Sequence, residues 1–181
     1  MTYHIVTYTG PFAFIKPWTA VRDELTYSQQ FLTPSIIEGL RQKLEVSAIL
    51  RHRLSYINFD KQQEQTRPKL IKKPGANFGI LMRGVLLEPA LSLAFPSAED
   101  AGKAFEQHIC LCRNEDILYP DVKSGIRECS EQEFNKIPGF ELHPVDDSEQ
   151  GFMVGYNRFD DYKPMYGRLE ITDGALREAA L

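Results

Sequence analysis

The sequence lacks several features that would assign it to a special class of protein. It has only three cysteines among 181 residues, and an odd number cannot form a complete disulfide framework. The longest apolar stretch, residues 79–95, is interrupted by Arg83 and Glu88 and falls short of the roughly 20 residues that a membrane helix needs. No basic segment followed by an apolar one indicates a signal peptide. We therefore expect a cytoplasmic protein that contacts no membrane.

Sequence patterns for metal or cofactor chemistry are equally scarce. His108, Cys110 and Cys112 alternate along one segment, but no second pair at zinc-site spacing follows. We interpret these cysteines as core or edge thiols. Residues 10–39 contain no glycine-rich phosphate-binding pattern, which leaves nucleotide hydrolysis without support. The sequence therefore predicts no metal site and no cofactor.

Charge is distributed unevenly along a chain whose formal net charge is −4. Residues 41–84 carry ten of the 21 lysines and arginines but only three acidic side chains, which makes this segment formally +7 and the remainder −11. A solvated loop would explain this imbalance. However, His52 lies between Arg51 and Arg53 and is followed by Tyr56, and cations next to stackable rings are what single-stranded RNA recognition requires. The basic middle segment therefore predicts an RNA-binding surface.

Local sequence patterns predict an alternation of strands and helices. Thr33-Pro34 and Ser97 are typical helix starts, because each offers an N-cap side chain. Glu88-Pro89 should interrupt a strand, because proline cannot donate to a central ladder. The predicted strands cover residues 3–9, 47–59, 79–95, 109–113, 152–156 and 165–171, and the predicted helices begin at residues 34 and 98. The order β-α-β-β-α-β predicts an α+β fold with a ferredoxin-like core, followed by an irregular, partly β C-terminal extension.

Several short segments resemble one protein family. The most specific follows the first predicted strand and reads Gly10-Pro11-Phe12-Ala13-Phe14-Ile15-Lys16-Pro17. The others follow in order along the chain: Leu25-Thr26-Tyr27, Thr33-Pro34-Ser35, Glu38-Gly39-Leu40, Arg83-Gly84-Val85, Cys112-Arg113-Asn114-Glu115, Gly151-Phe152-Met153-Val154 and Met165-Tyr166-Gly167. Together they resemble the CasD-type RAMP proteins, the fifth Cas family of CRISPR interference complexes, and are most similar to the type I-C variant.

The resemblance implies both an architecture and a role. It implies a ferredoxin-like RAMP domain over residues 1–115, with a basic β-hairpin thumb at about residues 60–78, and a C-terminal extension over residues 116–181 packed on it. In a prokaryotic cytoplasm, such a subunit binds the 5′ handle of the crRNA and caps the backbone filament of a Cascade-like complex. Its implied partners are the crRNA, the backbone subunit and the large subunit, with the target nucleic acid contacted only indirectly.

The predicted RNA-binding residues are cations, one histidine and one tyrosine, drawn from the first signature, the basic segment and the neighbouring strands. They are Lys16, Tyr27, Arg51, His52, Arg53, Lys61, Arg67, Lys69, Lys72, Lys73, Arg83 and Arg113. A group of aromatic residues near the C-terminus is interpreted instead as core or partner packing: Tyr156, Phe159, Tyr162 and Tyr166.

Catalysis is a separate question, because members of the type I-C branch also cleave precursor crRNA with a tyrosine, a lysine and a histidine. Here the resemblance puts Glu45 near the tyrosine position and Ala104 in place of the histidine, while Lys103 remains. Lys103 follows Glu99 by four residues, which predicts an ion pair on an exposed helix face. We therefore expect a non-catalytic subunit with no catalytic residue. Two alternatives stay open: a metal-independent endoribonuclease that processes pre-crRNA, and a stand-alone RRM-like RNA-binding module.

Overall fold

Antiparallel strands dominate the structure, a computed structural model that describes residues 1–20, 25–65 and 80–178. Strands account for 46% of the described residues and helices for 14%. The strands are β1 (Thr2–Thr9), β2 (Phe12–Ala13), β3 (Leu25–Tyr27), β4 (Arg51–Ser55), β5 (Phe59–Gln65), β6 (Ile80–Leu87), β7 (Ala90–Phe95), β8 (Ile109–Cys110), β9 (Ile117–Pro120), β10 (Arg127–Ser130), β11 (Gly139–Val145), β12 (Phe152–Asn157) and β13 (Lys163–Thr172). The helices are α1 (Pro34–Leu44), α2 (Ala98–Phe105) and α3 (Glu131–Phe134).

The described strands form two sheets. Nine strands make the large sheet, in the order β12-β13-β11-β4-β7-β1-β9-β8, with β10 also pairing with β1. In the small sheet β6 is central and pairs with β2, β3 and β5. The β5–β6 pairing is antiparallel, from Phe59 opposite Leu86 to Gln65 opposite Ile80. Most of the predicted thumb, residues 66–78, lies outside the described residues.

The large sheet buries side chains on both of its faces. Alternate residues of β1 point in opposite directions, so that Val6 and Tyr8 join the main core, which also contains buried residues of α1 and α2. On the other face, Tyr3 and Ile5 pack with Phe134 of α3. Because α1 and α2 share the main core with the central strands, their positions are fixed by the sheet.

The predicted helix starts and the predicted strand break are confirmed. The Thr33 side chain accepts a hydrogen bond from the backbone N–H of Ile36, and Pro34 occupies the first turn of α1. The Ser97 side chain likewise accepts from the N–H of Asp100 at the start of α2. Between β6 and β7, Glu88 adopts a left-handed conformation with φ of 45°, and the two strands flank it and Pro89. These features depend on local backbone chemistry, which the sequence shows directly.

The predicted ferredoxin-like α+β βαββαβ core is wrong, because the fold is β-rich and mostly antiparallel. The helices are short, with 11 residues in α1 and eight in α2. The predicted strand over residues 109–113 is reduced to Ile109–Cys110, and β9 pairs with β1 instead. The C-terminal region is not irregular: β11, β12 and β13 extend the large sheet beyond β4.

Membrane-spanning geometry is not found in the part of the chain that the structure describes. Each helix there is too short or too polar to cross a bilayer.

A network of charged side chains joins β4 to β11 and β13. The guanidinium of Arg51 donates to both carboxylate oxygens of Glu141, at 2.5 and 2.7 Å. Arg53, which is 0% exposed, pairs with the same Glu141 at 3.2 Å and also with Glu170. The ring of Phe134 lies under both arginines, 4.9 Å from the Arg51 guanidinium carbon and 5.9 Å from that of Arg53. The C-terminal strands are therefore held to β4 by buried ion pairs as well as by the sheet.

Removing the charge of Glu141 should destabilise the protein strongly. In the variant Glu141→Gln, two buried or half-buried arginines lose their shared carboxylate, and breaking a buried pair in this way costs about 3–5 kcal/mol. We expect a loss of this size in the free energy of unfolding from urea titrations. The matched control is Glu128→Gln, because Glu128 is 70% exposed and pairs only weakly with His4 at 3.7 Å. Equal stability of the two variants would contradict this account of the network.

Candidate nucleic-acid interface

Three of the predicted RNA-binding residues face the interior. Arg51 and Arg53 are engaged in the ion-pair network, and His52 is buried on the opposite face of β4. His52 Nε2 accepts hydrogen bonds from the N–H groups of Leu32 and Leu142, at 3.3 and 3.4 Å. Burial, with repulsion from nearby cations, lowers the pKa of His52 to about 3, so the ring is neutral at physiological pH. These three side chains bind partners inside the protein. An RNA would bind them only after those internal contacts were broken.

Arg83 and Arg113 are also committed to internal partners. Their guanidinium carbons lie 5.3 and 5.4 Å from the centre of the Phe14 ring. Arg83 pairs with Glu64 at 2.9 Å, and Arg113 pairs with Asp116 at 2.7 Å. The two arginines therefore enclose an aromatic residue of the first signature segment and retain only a small exposed fraction.

The remaining described members of the predicted set are exposed. Tyr27 lies on the small sheet with its ring directly over Gly84, where a Cβ atom would collide with it. Lys61 is opposite Gly84 in the β5–β6 register, and Phe59 meets the Tyr27 ring edge-on with centroids 5.5 Å apart. Lys16 lies three residues after the end of β2. The other four predicted residues are outside the described ranges: Arg67, Lys69, Lys72 and Lys73.

Lys16 lines a cleft that we call the basic groove. The groove has a volume of about 380 Å³ and lies between α1, the segment that follows β2, and the β12–β13 hairpin. Its cations are Lys16, Lys43 and Arg158, and its large aromatic side chains are Trp18 and Tyr156. Gln29, Cys110 and Leu111 also line it, so widely separated parts of the chain contribute to one surface.

The two large aromatic side chains of the basic groove are well exposed. Trp18 is 48% exposed and Tyr156 is 54% exposed. Their ring centroids lie 6.0 Å apart, with the planes at 90°. Tyr156, Phe159 and Tyr162 are all exposed, so of the two interpretations of these C-terminal aromatics, core or partner packing, the core one is wrong for these three.

Two glycines shape the walls of the basic groove. Gly155 has φ of +125°, and a Cβ atom there would lie 3.2 Å from Cβ of Trp18, so the absence of a side chain lets the indole pack against β12. In α1, a Cβ atom on Gly39 would lie 2.9 Å from Nη2 of Arg158. The Arg158 guanidinium thus rests on the helix at Gly39, and its carbon is 4.7 Å from the centre of the Phe159 ring. Both glycines therefore let a neighbouring side chain approach the backbone closely.

The electrostatics of the basic groove favour anions. Among the described residues that line it, three are cationic and none carries a carboxylate. None of Lys16, Lys43 and Arg158 forms an ion pair with another described residue. Unpaired cations beside exposed rings can bind phosphate and stack a base at the same time.

The other candidate sites are less suited to binding a ligand or to catalysis. Glu141, His143 and Glu170 place three ligand atoms within 4.8 Å of one another, but arginines already occupy both carboxylates. The ion pair of Lys103 with Glu99 is confirmed at 2.8 Å, and this contact raises the pKa of the lysine, which keeps it protonated. Cys110 and Cys112 are exposed free thiols, as the edge interpretation predicted.

Of the five cationic and large aromatic residues of the basic groove, sequence reasoning predicted one as an RNA-binding residue. Lys16 was identified because it belongs to the first signature segment. Trp18, Lys43, Tyr156 and Arg158 carry no joint signal, because they are far apart in the sequence and meet only in the folded protein. The one available hint was the unusual density of aromatic residues around residue 159.

Comparison with solved structures finds a chain with the same fold. That chain is described as a CRISPR RNA-guided surveillance complex; the match has a TM-score of 0.53 and covers 94% of this chain and 90% of that chain, at 10% sequence identity. The fold is that of a CRISPR surveillance-complex chain. No protein-family model and no curated protein matches the sequence.

His52 should make the protein sensitive to acid. Its folded-state pKa of about 3 lies below the unfolded value of about 6.5, so the unfolded state takes up the proton first as the pH falls. The contribution of His52 to the free energy of unfolding is therefore fully present above about pH 6.5. It decreases as the pH falls toward about 3, by about 1.4 kcal/mol per pH unit. The comparison variant is His52→Gln, whose amide oxygen accepts the same N–H groups without titrating.

Urea titrations at about pH 6.5 and about pH 4.5 measure this effect. On going to the lower pH, we expect the unfolding free energy of the wild type to fall by more than that of His52→Gln. A difference that does not change with pH would show that His52 does not titrate in this way.

Gly39 offers a test of how Arg158 is held. Glycine inside a helix costs roughly 0.5–1 kcal/mol relative to alanine, and the atom that an added Cβ would displace is the end of a flexible side chain. We expect Gly39→Ala to raise the free energy of unfolding by up to this amount. Gly102→Ala in α2 is the matched control, since a Cβ there meets nothing within 4 Å. A clear loss of stability in Gly39→Ala, beside a gain in Gly102→Ala, would show that Arg158 cannot move.

Proposed function

We propose that this protein is a non-catalytic subunit of a CRISPR interference complex and binds the 5′ handle of the crRNA. The observation that carries this proposal is the shared fold, because the match to the surveillance-complex chain spans nearly the whole of both chains. The first signature segment adds support, since it resembles CasD-type proteins and supplies both Phe14 and Lys16. In this role the protein would cap the backbone filament and contact the backbone and large subunits in a prokaryotic cytoplasm.

The electrostatics of the described surface are compatible with RNA as a partner. The basic groove holds three cations and no carboxylate among its described residues. The small sheet adds one further exposed cation, Lys61, and one further exposed ring, Tyr27. Among the described residues of the predicted set, however, the exposed cations are Lys16 and Lys61, because Arg51 and Arg53 are paired with Glu141 and Glu170. Affinity for phosphates rises with the number of contacts. We therefore expect weak, salt-sensitive binding by the isolated protein and firm retention of RNA in a complex.

A scaffold role fits the side chains better than a nuclease role does. Cleavage through a 2′-hydroxyl needs a group that exchanges protons near neutral pH. Lys103 is held protonated by Glu99, and Ala104 offers no proton at the neighbouring position. Glu45, the C-cap of α1, is in the left-handed conformation with φ of 56°. We assign no catalytic residue.

The test is to co-express the tagged protein with the other products of its operon and a repeat-spacer array. We expect the tag to recover several proteins together with guide-length RNA that shares one 5′ end. Recovery of the protein alone, without RNA or partner subunits, would contradict the proposal and favour a stand-alone RNA-binding module.

A second arm separates the scaffold from the endoribonuclease. The purified protein is incubated with repeat RNA in the absence of metal, alongside Lys103→Ala. We expect uncleaved RNA in both samples. A single defined cleavage that is lost in Lys103→Ala would show that the protein processes pre-crRNA and would overturn the non-catalytic assignment.

A further inference from the structure

The basic groove has the size and chemistry of a site for one small polar ligand. Its volume of about 380 Å³ lies near the lower end of the range for ligand sites, roughly 300–1,000 Å³. In a duplex the bases are paired and stacked, so they are not free to enter a cleft of this size. The groove therefore suits one unstacked nucleotide better than it suits a continuous helix.

The aromatic side chains of the groove form a corner. Because the planes of Trp18 and Tyr156 are perpendicular, a flat base that stacks on one ring presents its edge to the other, and both contacts are favourable geometries for π-systems. Trp18 is the better stacking surface, since its indole is larger and its Cβ and Cγ lie against the backbone at Gly155. Tyr156 then forms the side of the corner.

The cations that line the same groove come from three elements. Lys16 follows β2, Lys43 lies in the last turn of α1, and Arg158 lies just after β12. The Arg158 guanidinium lies against Gly39 and the ring of Phe159. Three positive charges in one groove with two exposed rings match a phosphate–ribose–base unit, whereas an acidic peptide would leave the two rings without a stacking partner.

We infer that the basic groove binds one unpaired nucleotide of RNA, with its base stacked on Trp18 against Tyr156 and its phosphates on Lys43, Arg158 and Lys16. This inference rests on the proposed function and names where in this chain a single nucleotide is held. Stacking accepts any base, because every base has a π-face. The groove therefore selects for unpaired RNA and tolerates changes in base identity.

The single tryptophan makes this inference directly measurable. Trp18 is the only tryptophan of the chain, so its fluorescence reports on the groove alone. The full-length protein is titrated at low salt with a short single-stranded oligouridylate, and we expect saturable quenching. Two probes serve as comparisons: an abasic strand of the same length, which keeps the phosphates and should not quench, and a fully paired RNA hairpin, which should not quench either.

Variants separate stacking from phosphate binding. Tyr156 contacts the edge of a base that is stacked on Trp18, so Tyr156→Ala should weaken binding of a labelled oligouridylate several-fold, up to about ten-fold. Arg158→Ala and Lys43→Ala should each reduce the slope of log affinity against log salt by about one. The matched controls are Tyr162→Ala, which removes a 71% exposed ring of the same hairpin, and Lys123→Ala, which removes an exposed lysine elsewhere. Neither control should change affinity or salt slope.

The outcomes distinguish this inference from the proposed function. Absence of quenching by the oligouridylate, or equal quenching by the paired hairpin, overturns the nucleotide site, even if the protein co-purifies with RNA and partner subunits. Quenching by an acidic peptide but not by RNA would assign the groove to a protein partner and also overturn it. Quenching by the oligouridylate with the predicted variant effects supports the site, and it does so independently of the co-purification that tests the proposed function.

Discussion

Arg53 is the residue on which the arrangement of this protein depends. A fully buried guanidinium costs several kcal/mol to remove from water and is tolerated only beside compensating charge. Glu141 of β11 and Glu170 of β13 provide that charge, so β11 must lie beside β4 and β13 next to β11. The β12–β13 hairpin follows from this constraint, because β12 pairs with β13 and carries the end of the basic groove that contains Tyr156. A buried ion pair on one face of the sheet thus sets the position of the candidate RNA site.

The sequence predicted the features that local chemistry determines. Thr33 and Ser97 start helices because their side chains accept backbone N–H groups within three residues, and Glu88-Pro89 interrupts a strand for equally local reasons. The role of the basic segment could not be seen in the same way. Arg51 and Arg53 look like exposed phosphate ligands until Glu141 and Glu170 are found beside them, 90 and 117 residues further along the chain. The strand β11 was also missed, because the segment that forms it contains Glu141, His143 and Pro144.

The basic groove shows why site residues are harder to predict than helix ends. It joins the segment after β2, the last turn of α1 and the β12–β13 hairpin, and only the folded sheet brings them together. Gly39 and Gly155 allow close approach because a side chain at either position would meet Arg158 or Trp18. The residues next to such a glycine in the sequence do not show that a distant side chain packs against it. The resulting surface has cations without carboxylates among its described residues, in a chain whose overall charge is negative.

The fold is shared with a chain of a CRISPR RNA-guided surveillance complex at 10% sequence identity, so the function depends on how the side chains of this chain are placed. The most direct test is ultraviolet cross-linking of the complex that co-purifies with the tagged protein, followed by mass spectrometry of the RNA-linked peptides. The account predicts cross-links between the 5′ end of the guide RNA and the peptides that contain Trp18 and Tyr156. Cross-links to the partner subunits alone, with none in this chain, would contradict it.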